Sequence, residues 1–223
     1  VTVTDANQCV ITGSYTVVEP VALALAGTVV NVDCYGALTG SVDLSVTGGT
    51  MPYTYLWSNG NGTSNPTGLA AGTYGVTVTD GNGCVLAGSY TVLEPSALMV
   101  TGVATDVTCN GAMNGSIDVS VSGGATPYAY SWNNVAGSED LGNLSGGVYE
   151  LVVTDANGCT YTMSWTILEP DALTETGTVV DVLCNGDANG SVSISVLGGT
   201  LPYTYIWSNG NGTSNPTGLA AGT

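Results

Sequence analysis

The chain has 223 residues, 17 of them acidic and none of them lysine, arginine or histidine, for a formal net charge of −17. Without basic side chains there is no phosphate clamp for nucleic acid, no Schiff-base lysine or P-loop, and no imidazole for a triad or a histidine zinc site. Apolar content of 43% is too high for simple disorder, the longest apolar runs are too short to span a bilayer, and an anionic membrane repels the chain.

From the N-terminus, Val1-Thr-Val-Thr-Asp reads as a strand and matches Val76-Thr-Val-Thr-Asp further on. No signal peptide stands at Val1, so the chain reads as mature, as internal to a longer protein, or both. Ser41-Val-Asp-Leu-Ser-Val-Thr alternates with period two and puts Val42, Leu44 and Val46 on one face. Tyr53-Thr-Tyr-Leu-Trp and Thr73-Tyr-Gly-Val-Thr-Val-Thr are rich in β-branched and aromatic residues. Gly48-Gly49, Asn59-Gly60-Asn61-Gly62, Asn65-Pro66, Ala71-Gly72 and Asp80-Gly81-Asn82-Gly83 punctuate the strands with turns. No segment carries a useful 3.6-residue period.

The whole pattern repeats every 75 residues without a slip. Cys9, Cys84 and Cys159 keep that spacing, as do Cys34, Cys109 and Cys184, Trp57, Trp132 and Trp207, and the Glu-Pro pairs at Glu19, Glu94 and Glu169. About seven short strands per period suit a β-sandwich. Proline fixes φ and cannot donate to a ladder, so the domain edge belongs at Glu-Pro. The expected organisation is 1–19 as the C-terminal part of a preceding repeat, 20–94 and 95–169 as whole domains, and 170–223 as the N-terminal part of a further repeat. The chain thus reads as a window on a longer array or one repeating length of a fibre. The fold class expected is all-β: tandem sandwich domains in an end-to-end rod.

Three blocks carry a family likeness: Cys109-Asn-Gly-Ala-Met-Asn-Gly-Ser, Ser122-Gly-Gly-Ala-Thr-Pro-Tyr-Ala-Tyr-Ser-Trp, and Gly147-Val-Tyr-Glu-Leu-Val-Val-Thr-Asp-Ala-Asn-Gly-Cys. They resemble the SprB repeat, which recurs in giant surface adhesins of gliding Bacteroidota. The Tyr-x-Trp strand followed by Gly-Thr-Tyr-x-Val is also similar to immunoglobulin-like domains of the polycystic-kidney-disease (PKD) type. The resemblance implies export by the type IX system, an extracellular, cell-surface location and a role in gliding adhesion. Arrays of that family usually hold some basic residues, and this chain has none.

Six cysteines at strict spacing in such an array point to disulfides. Cys34 opens the turn between the first two strands of its domain, and Cys84 closes the turn between the last two. Seven strands put those turns at opposite poles, beyond the ~7 Å that a disulfide allows between Cα atoms. The bond then joins Cys34 to Cys159 across a domain junction. If a single strand lies between Tyr53–Ser58 and Tyr74–Thr79, the parity reverses, and the pairs become Cys34–Cys84 and Cys109–Cys159. Three turn signals between those segments lean toward the inter-domain pair; both pairings stand.

No other cofactor is called for, but Asp80, Asp155, Glu94 and Glu169 are candidate oxygen ligands for a weak calcium site. Against it stand the few carboxylates at each junction and the Asx-turns that Asp80 and Asp155 are suited to. Trp57, Trp132 and Trp207 are expected as core pillars. Glu139-Asp140 has no partner acid for glycoside hydrolysis and reads as a solvated loop. The function expected is a non-catalytic structural and adhesive array forming a stalk or filament. The alternative is a carbohydrate-binding surface module using Tyr and Trp faces. Partners are neighbouring repeats of the same chain, other copies in a filament and surface polysaccharide, with no nucleic acid and no membrane insertion.

Overall fold

The computed structural model describes residues 1–133 and 135–222. Described residues form strands, turns and loops without a helix, in two compact units, Val1–Ser96 and Ala97–Thr223.

The first unit opens with a hairpin, β1 (Thr2–Thr4) against β2 (Val10–Thr12). A sandwich follows. One sheet is β3 (Ala24–Val30), β4 (Gly40–Thr47) and β6 (Thr67–Leu69), in the order β3-β4-β6; the other is β5 (Thr54–Trp57), β7 (Gly72–Thr79) and β8 (Val85–Val92), in the order β5-β7-β8. All ladders are antiparallel. The alternation in β4 turns Val42 and Leu44 inward, where they join Val32, Trp57, Leu69, Val76, Val78 and Val92 in the core.

The second unit holds the same sandwich one period later. Its strands are β9 (Met99–Thr105), β10 (Gly115–Ser122), β11 (Ala129–Trp132), β12 (Val135–Gly137), β13 (Leu141–Leu144), β14 (Gly147–Thr154) and β15 (Thr160–Ile167). The sheets are β13-β10-β9 and β12-β11-β14-β15. After it comes one sheet, β16 (Thr174–Val180), β17 (Gly190–Leu197) and β18 (Thr217–Leu219).

The seven strands expected per period are all present in the second sandwich, but the first has six. Where β12 stands in the second, the first carries Asn59-Gly60-Asn61-Gly62. Gly60 at φ 81° turns the chain so tightly that two backbone bonds, Trp57 N–H to the Asn61 carbonyl at 3.0 Å and Gly60 N–H to the Trp57 carbonyl at 2.9 Å, replace a ladder. The chain still doubles back there, so the number of crossings, and with it the pole of each later turn, is the same in both sandwiches.

Two further features mark the fold. Tyr74 donates its hydroxyl to the Ala70 carbonyl at 3.0 Å, and Tyr149 to Ser145 at 3.1 Å. This is the tyrosine corner of immunoglobulin-like sandwiches, a tyrosine at the start of a late strand tied to backbone just upstream. An aromatic pair bridges each core: Trp57 with Tyr90 at 6.0 Å, and Trp132 with Trp165 at 5.7 Å, tilted rather than stacked. Each complete repeat is an immunoglobulin-like β-sandwich, and the chain is all-β with a 75-residue period.

Candidate functional sites at the two poles of the repeat

Strands β3 and β8 run in the same direction on opposite sheets, and they end together. Val32 N–H donates to the Leu93 carbonyl at 2.9 Å, and Leu93 N–H to Asn31 Oδ1 at 2.9 Å. The chain leaves the repeat here, so this is its exit pole. The β3–β4 loop with Cys34 lies at the same pole. Glu94 Oε2 accepts the Gly36 N–H at 2.7 Å, and in the second repeat Glu169 Oε1 accepts that of Gly111 at 2.6 Å. Glu94 and Glu169 therefore fix the cysteine loop of their own repeat. Only the fold, which returns β8 to the end of β3, reveals that role.

The entry pole is built around two glycines. Gly48 sits at φ 72°, and a Cβ there would lie 1.9 Å from the Ala22 carbonyl oxygen. Gly49 donates its N–H to Val21 at 2.6 Å. The incoming chain thus rests directly on glycine backbone. Tyr53 donates its hydroxyl to the Gly48 carbonyl at 2.6 Å, after a cis Met51-Pro52 bond.

Asp80 closes this pole. Its buried carboxylate accepts N–H bonds from Thr50 at 2.9 Å, Asn82 at 2.9 Å and Cys84 at 2.8 Å. The Thr50 bond leads in holding its pKa below the ordinary 3.8, with Cys84 and Asn82 adding to it, against the opposing effect of burial. At Asp155, burial is the largest influence and pushes upward. N–H groups of Ala125, Cys159, Asn157 and Gly158 together outweigh it and leave the pKa lowered. The sequence suggested a local Asx-turn. The structure adds a cross-link of 30 residues to the Gly-Gly loop.

Asp80 stands at the entry pole and Glu94 at the exit pole of the same domain, so the structure does not bring the calcium candidates together there. Asp155 and Glu169 are separated in the same way. Each of these carboxylates is engaged by backbone N–H groups. Among the described residues no three acidic or cysteine side chains stand grouped as for a metal.

Trp57 and Trp132 are buried, and each donates its indole N–H, to Thr63 at 2.8 Å and Ser138 at 3.0 Å. Their faces are inside the sandwich, closed to a sugar. Trp207 makes the same bond to Thr213 at 2.7 Å but is half-buried.

Cys34 and Cys159 are in disulfide form, and Cys9, Cys84, Cys109 and Cys184 are exposed free thiols. The intradomain pairs Cys34–Cys84 and Cys109–Cys159 are not formed. The reason is geometric: Cys34 is at the exit pole and Cys84 at the entry pole, separated by the eight residues of β8, about 26 Å of strand.

A family model described as the SprB repeat matches residues 26–62, 101–137 and 176–212, the first half of each period. No curated protein matches the sequence. One solved structure, described as "Structural basis for Dscam isoform specificity", is similar at 13% identity and a TM-score of 0.30. The match covers 67% of this chain and 46% of that one, so it spans less than half of that structure's length. The family is a structural repeat rather than a known enzyme family, and it implies a protein of the cell surface. Three matches at one 75-residue spacing, each opening within the first long strand of its repeat, β3, β9 or β16, establish that the chain belongs to the SprB-repeat family.

Proposed function

We propose that the chain is part of a non-catalytic extracellular array, a stalk or filament that extends adhesive surface from the cell, in which a Cys34–Cys159 disulfide joins successive repeats. The observation that carries this is the position of each cysteine in its own unit. Cys34 sits on the loop that Glu94 holds at the exit of one repeat. Cys159 sits on the turn that Asp155 holds at the entry of the next. The chain leaves the first repeat at its exit pole and enters the next at its entry pole, and both residues are in disulfide form. Export by the type IX system and a part in gliding adhesion extend the same reading.

Peptide mapping without reduction tests it. A Glu-specific protease is required, because trypsin has no lysine or arginine to cut at. The peptide 151–169 is expected to be linked to 20–94 through Cys34. Linkage of 151–169 to the peptide 95–139, which holds Cys109, would overturn the reading and leave the repeats as independent beads.

A further inference from the structure

Six Asn-Gly pairs lie in the two complete repeats, opening at Asn59, Asn61, Asn82, Asn110, Asn114 and Asn157. Each holds the parts of a self-reaction, in which the glycine nitrogen attacks the carboxamide carbon of the asparagine before it. Glycine has no Cβ to hinder that approach. The attacking nitrogen must give up its proton, and in four of the six pairs the fold engages it. Gly60 N–H donates to the Trp57 carbonyl at 2.9 Å, Gly83 to Asp80 at 3.0 Å and Gly158 to Asp155 at 3.0 Å. Gly111 donates to the Glu169 carboxylate at 2.6 Å, whose negative charge opposes loss of the proton. In a fifth pair the carboxamide is tied at both ends. Asn114 Oδ1 accepts the Thr108 N–H at 3.1 Å, and its Nδ2 donates to Thr108 Oγ1 at 2.8 Å.

Asn61 differs from the other five in two ways. Among the described residues Gly62 N–H has no acceptor, and Gly62 is exposed. Asn61 Oδ1 accepts two bonds, from Thr63 N–H at 2.8 Å and from Thr63 Oγ1 at 2.8 Å. Those donors polarise the carboxamide and face the oxygen on which negative charge collects as the ring closes. The same two donors recur at Asn211, from Thr213. The middle repeat has Ala136 at this place.

We infer that Asn61 is a self-modification site, at which Asn61-Gly62 closes to a cyclic imide and opens to aspartate or isoaspartate, with Asn211 as its second copy. Gly62 N forms a bond to Asn61 Cγ, the Cγ–Nδ2 bond breaks, and Nδ2 leaves as ammonia carrying the Gly62 proton. Water then opens the ring at either carbonyl, and the ammonia takes up the carboxyl proton as ammonium. Each event adds one negative charge to the chain and needs no reactant beyond water.

The position of the site gives the change a structural consequence. The Asn61 carbonyl accepts the Trp57 N–H at 3.0 Å, and the Thr63 carbonyl accepts the Trp57 indole N–H at 2.8 Å. Isoaspartate reroutes the backbone through Cβ and turns the Asn61 carbonyl into a side-group carboxylate. The turn that caps a buried tryptophan is thereby rebuilt, so the age of the chain is recorded at the edge of its core.

The test ages the full chain in mildly alkaline buffer and follows each asparagine by mass spectrometry with electron-transfer fragmentation, which separates isoaspartate from aspartate. In the folded chain Asn61 and Asn211 are expected to convert ahead of Asn59, Asn82, Asn110, Asn114 and Asn157. Gly62→Ala, whose Cβ would lie 3.8 Å from the Tyr55 carbonyl oxygen and so fits, is expected to arrest conversion at Asn61 and leave Asn211 reacting. Thr63→Val is expected to slow Asn61 about fivefold, the rate equivalent of one hydrogen bond of about 1 kcal/mol. In concentrated urea the six pairs are expected to converge on similar rates. Conversion of any of the five other pairs as fast as Asn61 in the folded chain, an unchanged rate in Gly62→Ala, faster conversion in Thr63→Val, or the folded order of rates persisting in urea would each overturn the inference.

Discussion

Asp80 and Asp155 are small parts of the chain with disproportionate structural reach. Each holds a turn closed and pins the Gly-Gly loop 30 residues away. Their folded pKa values are lowered, so their contribution is full above the ordinary carboxylate value and lost as pH falls through the lowered one. Global repulsion works the other way, because acid neutralises a net charge of −17. The comparison must therefore be with Asp80→Asn. In urea titrations the variant is expected to be weaker than wild type at pH 7, with the gap narrowing below about pH 4. A gap that stays constant to pH 2 would show that charge on Asp80 does not matter. Glycine gives a second test at this scale. Gly27 faces the Tyr90 ring, which a Cβ would approach to 2.5 Å, and that ring is already held against Trp57. Gly27→Ala is expected to cost about 1–3 kcal/mol by overpacking. Gly177→Ala, whose nearest neighbour is Ile194 at 3.3 Å, serves as the mild control in the same denaturation series. The recurrence of Asp80 and of glycine within a strand was visible in the sequence. What each touches was not, because Thr50 and Tyr90 are brought there by tertiary folding.

At the scale of elements, period-two alternation located β4, β10 and β17, and the aromatic runs located β5 and β7. The Asn-Gly and Asp-Gly pairs located the turns between them. These signals are local, and the structure follows them closely. The departures come where pairing decides. Asn59–Gly62 turns too tightly to become the strand that Val135–Gly137 forms. The Tyr-x-Trp segment becomes β5 only where β7 lies alongside it, a case of strand propensity that is conditional on a neighbour. The role of Glu94 in holding the cysteine loop was hidden for a related reason: Gly36 is 58 residues away in sequence.

At the scale of the whole molecule, the repeat and its cysteine lattice follow from sequence arithmetic, and the parity of strand crossings separates Cys34 from Cys84. A bond between Cys34 and Cys159 closes a loop of about 125 residues, worth about 5 kcal/mol on the chain-entropy estimate. Reduction, or Cys34→Ser, is expected to lower resistance to guanidinium by up to that amount, and Cys84→Ser is expected to leave it unchanged. Equal losses in both variants would mean that the cysteine positions matter for packing instead. The placement of entry and exit has one more consequence. Because the chain enters a sandwich at one pole and leaves at the other, a pull on its ends acts along β3 and β8. It meets the seven residue pairs of β3 with β4 and the eight of β7 with β8 in shear. Those ladders must slip as blocks rather than unzip pair by pair, so each domain is oriented to resist stretching along the direction in which its own chain runs.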